Sequence, residues 1–158
     1  MLDAYPGALV VRLPLLFGDS GGRGLGASDR VLDSVERGER PAMFTDEWRT
    51  PLDVVSAAAA LVELAHGTTS GTLHVAGPER VSRHELALRA LIAHGATRSE
   101  AAARIVSTTR GGAGQESTRP EDVSLDGSRA RALLRTALRG PSEISLRAAL
   151  VPRAKEIG

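Results

Sequence analysis

The strongest organising signal is an alanine-rich helical stretch from Asp53 to His66, stopped by Gly67, with short β-rich runs on both sides. Alanine is the best helix former, and a glycine just past the last apolar residue is a common stop. Upstream, Ala8-Leu9-Val10-Val11-Arg12-Leu13 is an apolar run of the kind that forms a buried strand. Pro14 must end its pairing, because proline has no amide to donate. Downstream, Gly71-Thr72-Leu73-His74-Val75-Ala76-Gly77 is a short strand between glycines. Strands alternating with helices over 158 residues predict α/β or α+β layers rather than a bundle.

Further elements follow from local chemistry. A glycine-rich loop, Gly18 to Gly26, leads to Ser28-Asp29, which offer an N-cap for a helix carrying Val31, Leu32 and Val35 and stopped by Gly38. Pro41 to Phe44 is a second extended piece. Ser82-Arg83-His84-Glu85 is a capping box that opens a helix to about His94, with Gly95 as its stop. Residues 110–118 are a polar glycine-rich loop, and Val123-Ser124-Leu125 is brief and extended. Asp126 is placed to cap a helix running to about Arg139, and Ser142 to cap a last one.

Composition removes several classes of function. There is no cysteine, hence no disulfide, thiolate metal site or cysteine nucleophile. A net charge of +1 gives no global field toward nucleic acid or anionic lipid. Arg129, Arg131, Arg135 and Arg139 form a partial basic stripe, but with only 3% aromatics it reads as a solvated face, not a nucleic-acid surface. His66, His74, His84 and His94 share no ligand spacing on one helical face, so no metal site is expected. The longest apolar stretches are far too short to span a bilayer, and no secretory signal is visible, which makes a cytoplasmic protein the expectation.

Gly18, Gly21 and Gly24 spell G-x-x-G-x-x-G between a strand and a helix, as a phosphate-cradling turn would. Pro14 interrupts the strand before it, the helix start is delayed, and no acidic residue at the right distance is present to hold a ribose. A surface loop is the plainer reading.

Four segments together carry a resemblance. Val10 to Gly18 (Val-Val-Arg-Leu-Pro-Leu-Leu-Phe-Gly) looks like the strand that follows the active-site helix in extended short-chain dehydrogenases/reductases. Thr45 to Val55 is similar to their segment with a sugar-contacting residue and a helix-opening Asp, and its Thr50-Pro51 pair has the form seen in dTDP-4-dehydrorhamnose reductases. Gly71 to Leu86 and Arg119-Pro120-Glu121-Asp122-Val123-Ser124-Leu125-Asp126 resemble later segments of the same family.

The resemblance implies an α/β fold: the C-terminal part of a Rossmann-type extended short-chain dehydrogenase with a small α+β substrate-binding lobe, residues 1–158 forming a single truncated domain. It implies the sugar-nucleotide-binding portion of an oxidoreductase that moves hydride from NADPH or NADH to a nucleotide-linked 4-keto sugar. Leu13, Pro14 and Leu15 would offer backbone groups to the nicotinamide carboxamide. Trp48, Arg49, Thr50 and Arg119 would contact substrate, the arginines because a guanidinium matches phosphate bidentately. The Trp48 indole could stack on a sugar, a base or Arg49. Arg12 reads two ways, shaping the nicotinamide end of the cleft or pairing with a carboxylate at the strand end.

The family's chemistry needs a tyrosine to protonate the keto oxygen and a lysine to lower its pKa, as Tyr-x-x-x-Lys. Here Tyr5 is followed four residues on by Leu9, and Lys155 is preceded four residues earlier by Val151. Neither this motif nor the N-terminal nucleotide fingerprint is present. No catalytic residue is therefore expected, and no tight cofactor binding. The expected partners are a nucleotide sugar, with self-association or a missing N-terminal half beside the strand at Ala8–Leu13. A regulatory binding protein, a gene fragment, and an epimerase or dehydratase of the same superfamily are the rival readings.

Overall fold

The computed structural model describes residues 5–19, 23, 26–112 and 120–143. In chain order they form β1 (Leu9–Arg12), β2 (Leu16–Phe17), α1 (Ala27–Glu36), β3 (Ala42–Phe44), β4 (Trp48–Arg49), β5 (Leu52–Asp53), α2 (Val54–Ala65) and β6 (Gly71–His74). Then come β7 (Val81–Ser82), α3 (Arg83–Ala93), α4 (Arg98–Ala103), β8 (Val106–Thr108), α5 (Ser128–Leu133) and a 3-10 turn at Pro141–Glu143. This is the mixed α/β class the alternation requires.

None of the described strand pairs joins neighbours in sequence. β1 pairs with β6, β2 with β5 and β3 with β8, all parallel, while β4 and β7 are antiparallel. Parallel pairs need a crossover, and α2 supplies it between β1 and β6. In that ladder the Ala8 and Arg12 carbonyls accept from the Gly71 and Val75 amides, so the alternate residues Leu9 and Val11 turn their backbone groups to the other edge. No strand lies along that edge among the described residues.

Two buried clusters hold the layers. Leu52, Ala57, Ala60, Leu64, Leu73, Val75 and Leu138 pack α2 against the β1–β6 and β2–β5 pairs. Val31, Leu32, Leu88, Leu91, Ala101 and Ile105 pack α1, α3 and α4 together. Phe17, Ala27, Val81 and Leu86 form a third, smaller group.

The helix boundaries test the sequence reading. Asp53 caps α2 by accepting the Ser56 amide at 2.8 Å, and Ser82 caps α3 through the Glu85 amide at 3.1 Å. Gly38 and Gly95, at φ 78° and 90°, lie just past α1 and α3 in the left-handed conformation that glycine adopts without strain. Three expectations need correction. The Glu85 carboxylate does not reach back to the cap but pairs with Arg89 at 2.9 Å, so the capping box is half formed. The N-cap of α1 is Gly26, not Ser28 or Asp29; both of those are buried inside the first turn, where the Ser28 hydroxyl accepts the Gly18 amide.

The helix expected from Asp126 to Arg139 is only Ser128–Leu133. Its continuation is broken because the Glu63 carboxylate of α2 takes the Arg135 and Thr136 amides, both at 2.9 Å, and the Thr136 hydroxyl at 2.7 Å. Those amides would otherwise continue the helical ladder. α4, with its Thr97–Glu100 capping box, and β8 are elements the sequence reading did not separate.

Candidate functional site

β1 ends at Arg12, and Pro14 holds the chain out of regular pairing until β2 begins at Leu16. The link between them, Leu13-Pro14-Leu15, forms one side of an open cleft of about 460 Å³, whose lining is completed by Arg12, Arg49, Val123 and Leu125. The segment expected to meet a cofactor and one of the arginines expected to meet substrate therefore share one cleft. Arg12 is exposed there, and Leu13 is 37% exposed despite being leucine.

The chemistry of the link suits a neutral amide. The Arg12 carbonyl is taken by the Val75 amide and the Leu15 carbonyl by the Leu52 amide. Among the described residues no backbone bond to a neighbouring segment uses the Leu13 or Pro14 carbonyl. A carboxamide edge, with one donor and one acceptor, matches free backbone groups between apolar side chains. Among the described residues lining the cleft, none forms a phosphate cradle. The Gly18–Gly26 loop lies elsewhere in the chain, and its Gly21 and Gly24 are outside the described residues.

On the far side Arg49 lines the cleft, while Trp48 and Thr50 are not among the lining residues; each of the three binds the same segment, Pro120–Leu125. The Trp48 amide donates to the Glu121 carbonyl at 2.8 Å, and the Trp48 carbonyl accepts the Val123 amide at 3.3 Å. Arg49 Nη1 donates to the carbonyls of Trp48 at 2.6 Å and Glu121 at 3.3 Å, and Nη2 approaches those of Pro120 at 3.4 Å and Glu47 Oε2 at 3.5 Å. Thr50 is buried; its hydroxyl accepts the Leu125 amide at 3.0 Å. These residues hold the 120–125 strap that presents Val123 and Leu125 to the cleft.

The indole of Trp48 does not stack on Arg49. Arg80 lies over it, 4.1 Å from the ring centroid, and is itself held by Asp122 at 2.8 Å. The Ser124 amide, which donates to it at 2.8 Å, and then Arg80 hold the Asp122 carboxyl down at about 2. Glu47 is the least expected participant. Its side chain is 2% exposed, and Oε1 has no hydrogen-bond partner. A carboxylate removed from water needs a compensating cation, and Arg49, 13% exposed, is the one beside it. Only its position between two extended pieces hinted at burial, since glutamate is normally solvated. The sequence singles out no role for Arg80, and Asp122, Val123 and Leu125 enter it only within the brief extended run 123–125 and the Arg119–Asp126 segment that resembles the family. Arg119 lies outside the described residues.

No helix among the described residues is long and apolar enough to cross a membrane, and no three His, Asp or Glu side chains gather there as a metal site would need.

Residues 1–146 match the family model described as the RmlD substrate binding domain. A probable low-salt glycan biosynthesis reductase of Haloferax volcanii is 32% identical over 82 residues, which is 51% of this chain and 27% of that protein. Among solved structures, a hypothetical dTDP-4-dehydrorhamnose reductase from Sulfolobus tokodaii superposes with a TM-score of 0.61 at 29% identity, covering 84% of this chain and 44% of its own. The dTDP-4-dehydrorhamnose reductase of Bacillus anthracis, solved in complex with NADP, gives 0.69 at 17% identity over 86% of this chain and 46% of its own, a likeness of fold. The chain thus spans less than half the length of these relatives. With the family model running through the strand, the strap and every element between them, this chain belongs to the RmlD substrate-binding domain family.

Proposed function

We propose that this chain is the sugar-nucleotide-binding portion of an NAD(P)-dependent oxidoreductase acting on a nucleotide-linked 4-keto sugar, and that the 158 residues bind substrate without reducing it. One observation carries the reading: Leu13-Pro14-Leu15 and Arg49, distant in sequence, line the same cleft. The link would meet the carboxamide end of NADP or NAD, which supplies the hydride when bound. Arg49 and Arg119 would meet the diphosphate, and the Val123–Leu125 wall would exclude water from the sugar. No Tyr-x-x-x-Lys pair is present to move the proton, so the role of these residues is to bind and orient. The Bacillus relative's NADP supports the cofactor class, and the Haloferax volcanii relative, a probable glycan biosynthesis reductase, supports the reaction class.

Ligand-observed NMR with dTDP tests the assignment. Each charge-assisted phosphate contact contributes roughly 1.5–3 kcal/mol before ordering costs, so the expected Kd is nearer millimolar than micromolar. Arg119→Ala and Arg49→Lys should each weaken binding several-fold; lysine keeps the charge beside Glu47 while losing the planar fork. Equal affinity in all three proteins would return both arginines to structural roles.

A further inference from the structure

Arg49 has no Nη hydrogen to spare. Its two Nη nitrogens carry four hydrogens, and four acceptors of the protein stand around them. Nη1 donates to the Trp48 carbonyl at 2.6 Å and the Glu121 carbonyl at 3.3 Å, while Nη2 reaches the Pro120 carbonyl at 3.4 Å and Glu47 Oε2 at 3.5 Å. A phosphate held bidentately needs two parallel N–H groups, from Nη1 and Nη2 or from Nε and Nη2. Either fork uses an Nη2 hydrogen, so the contact to Pro120 or the contact to Glu47 has to yield.

Burial decides which. The Glu47 side chain is 2% exposed, and its Oε1 has no hydrogen-bond partner. Withdrawing Arg49 would leave that carboxylate in the interior without the cation paired with it, which is strongly destabilising. Glu47 is also fixed from behind, because its backbone carbonyl accepts the Arg83 amide at 3.0 Å where α3 begins. Pro120, by contrast, is exposed, and water can replace the hydrogen that its neutral carbonyl loses. A charge-assisted bond to phosphate is roughly twice as strong as a bond to a neutral acceptor, so this exchange favours the phosphate.

Resting on the reading that Arg49 meets a diphosphate, we propose that Glu47 is the positioning residue of the cleft. It fixes the inner Nη2 hydrogen, so a phosphate engages Arg49 by displacing the Pro120 carbonyl, and the strap loosens as the nucleotide binds. The loosening belongs to the end of the strap that Arg49 clasps, where the Trp48 amide donates to the Glu121 carbonyl and the Val123 amide to the Trp48 carbonyl. The other end stays closed, since the Leu125 amide is held by the Thr50 hydroxyl at 3.0 Å and not by Arg49. A ligand that speeds exchange beside its own site is the opposite of ordinary ligand protection.

Amide hydrogen exchange of the full chain, read by NMR with and without saturating dTDP, tests this, with thymidine as the phosphate-free control. Exchange at the Trp48 and Val123 amides should rise several-fold with dTDP and stay unchanged with thymidine, while Leu125 keeps its protection. Glu47→Gln keeps the volume but leaves no buried charge, so either Nη2 contact can yield and the rise caused by dTDP should largely disappear. Arg49→Lys has no fork to divide; it should bind dTDP more weakly and show no rise at saturation, which keeps the test open if Glu47→Gln does not fold. Absence of any dTDP binding in ligand-observed NMR overturns the reading of the cleft and this proposal with it. If dTDP binds while Trp48 and Val123 exchange at the same rate or more slowly, or if thymidine loosens them equally, the proposal alone is overturned. A full rise in Glu47→Gln removes the role given to Glu47.

Discussion

Replacing Thr50 by valine separates a strap anchor from a substrate contact. The side chains are nearly isosteric, so packing around this 8% exposed site is kept and only the hydroxyl is lost. That hydroxyl accepts the Leu125 amide at 3.0 Å and lies 3.4 Å from the Leu125 carbonyl oxygen. In the variant the amide faces a methyl group. An unsatisfied buried donor costs about 1–3 kcal/mol, and because Leu125 is only half-buried the lower part of that range applies, ~1.5 kcal/mol. For a domain of this size the loss corresponds to a Tm lowered by roughly 3–6 °C. Urea denaturation followed by far-ultraviolet circular dichroism would measure the stability, and hydrogen exchange would show faster exchange at Val123 and Leu125. Thr50→Ser, which keeps the oxygen, should lose much less. The reasoning fails if Thr50→Val is as stable as wild type with unchanged exchange in the strap, or if Thr50→Ser loses as much.

Acid should release the strap where Asp122 holds Arg80 over the indole. A carboxyl lowered to about 2 stabilises the fold above its ordinary pKa near 4 and loses that contribution as pH falls toward about 2. Trp48 is the only tryptophan, so its emission should change across that window in wild type, and Asp122→Asn should show the acid-side emission already at pH 7. Glu63, also held down to about 2 by the Arg135 amide and then the Thr136 hydroxyl and amide, should release residues 135–136 in the same window; amide exchange there would report it, and Glu63→Gln should expose them at neutral pH. Gly77→Ala should cost roughly 3 kcal/mol, because a Cβ at that position would overlap the Pro51 carbonyl oxygen, and chemical denaturation would measure the loss. Unchanged stability would mean that the 50–52 and 75–77 segments are further apart than described.

Local chemistry made much of the fold legible. Asp53 and Ser82 cap helices as their side chains demand, Pro14 ends β1, and Gly95 stops α3. What failed was decided by distant partners. Nothing between Asp126 and Arg139 announces that Glu63 will take two amides from the helix, and nothing near Glu47 announces that Arg49 will neutralise it in the interior. The candidate cleft was legible in the same measure. Leu13–Leu15 and Arg49 do meet, but the strap that binds Trp48, Arg49 and Thr50 is a tertiary contact across more than seventy residues, which no local pattern carries.

That pairing pattern also sets the order in which the molecule can be made. Its described strands have no hairpin between sequence neighbours, and Thr50 meets Leu125 75 residues later, as Glu63 meets Thr136 73 residues later. On a ribosome, the β6 side of the β1 ladder cannot form until Gly71–His74 is translated, and the core around Leu52 and Leu73 stays incomplete until Leu138 follows. Loop closures of this length come before the contacts that reward them, which slows folding. Until then Leu9-Val10-Val11 lacks the β6 side of its ladder, and an unpaired strand edge in a folding intermediate favours misassociation.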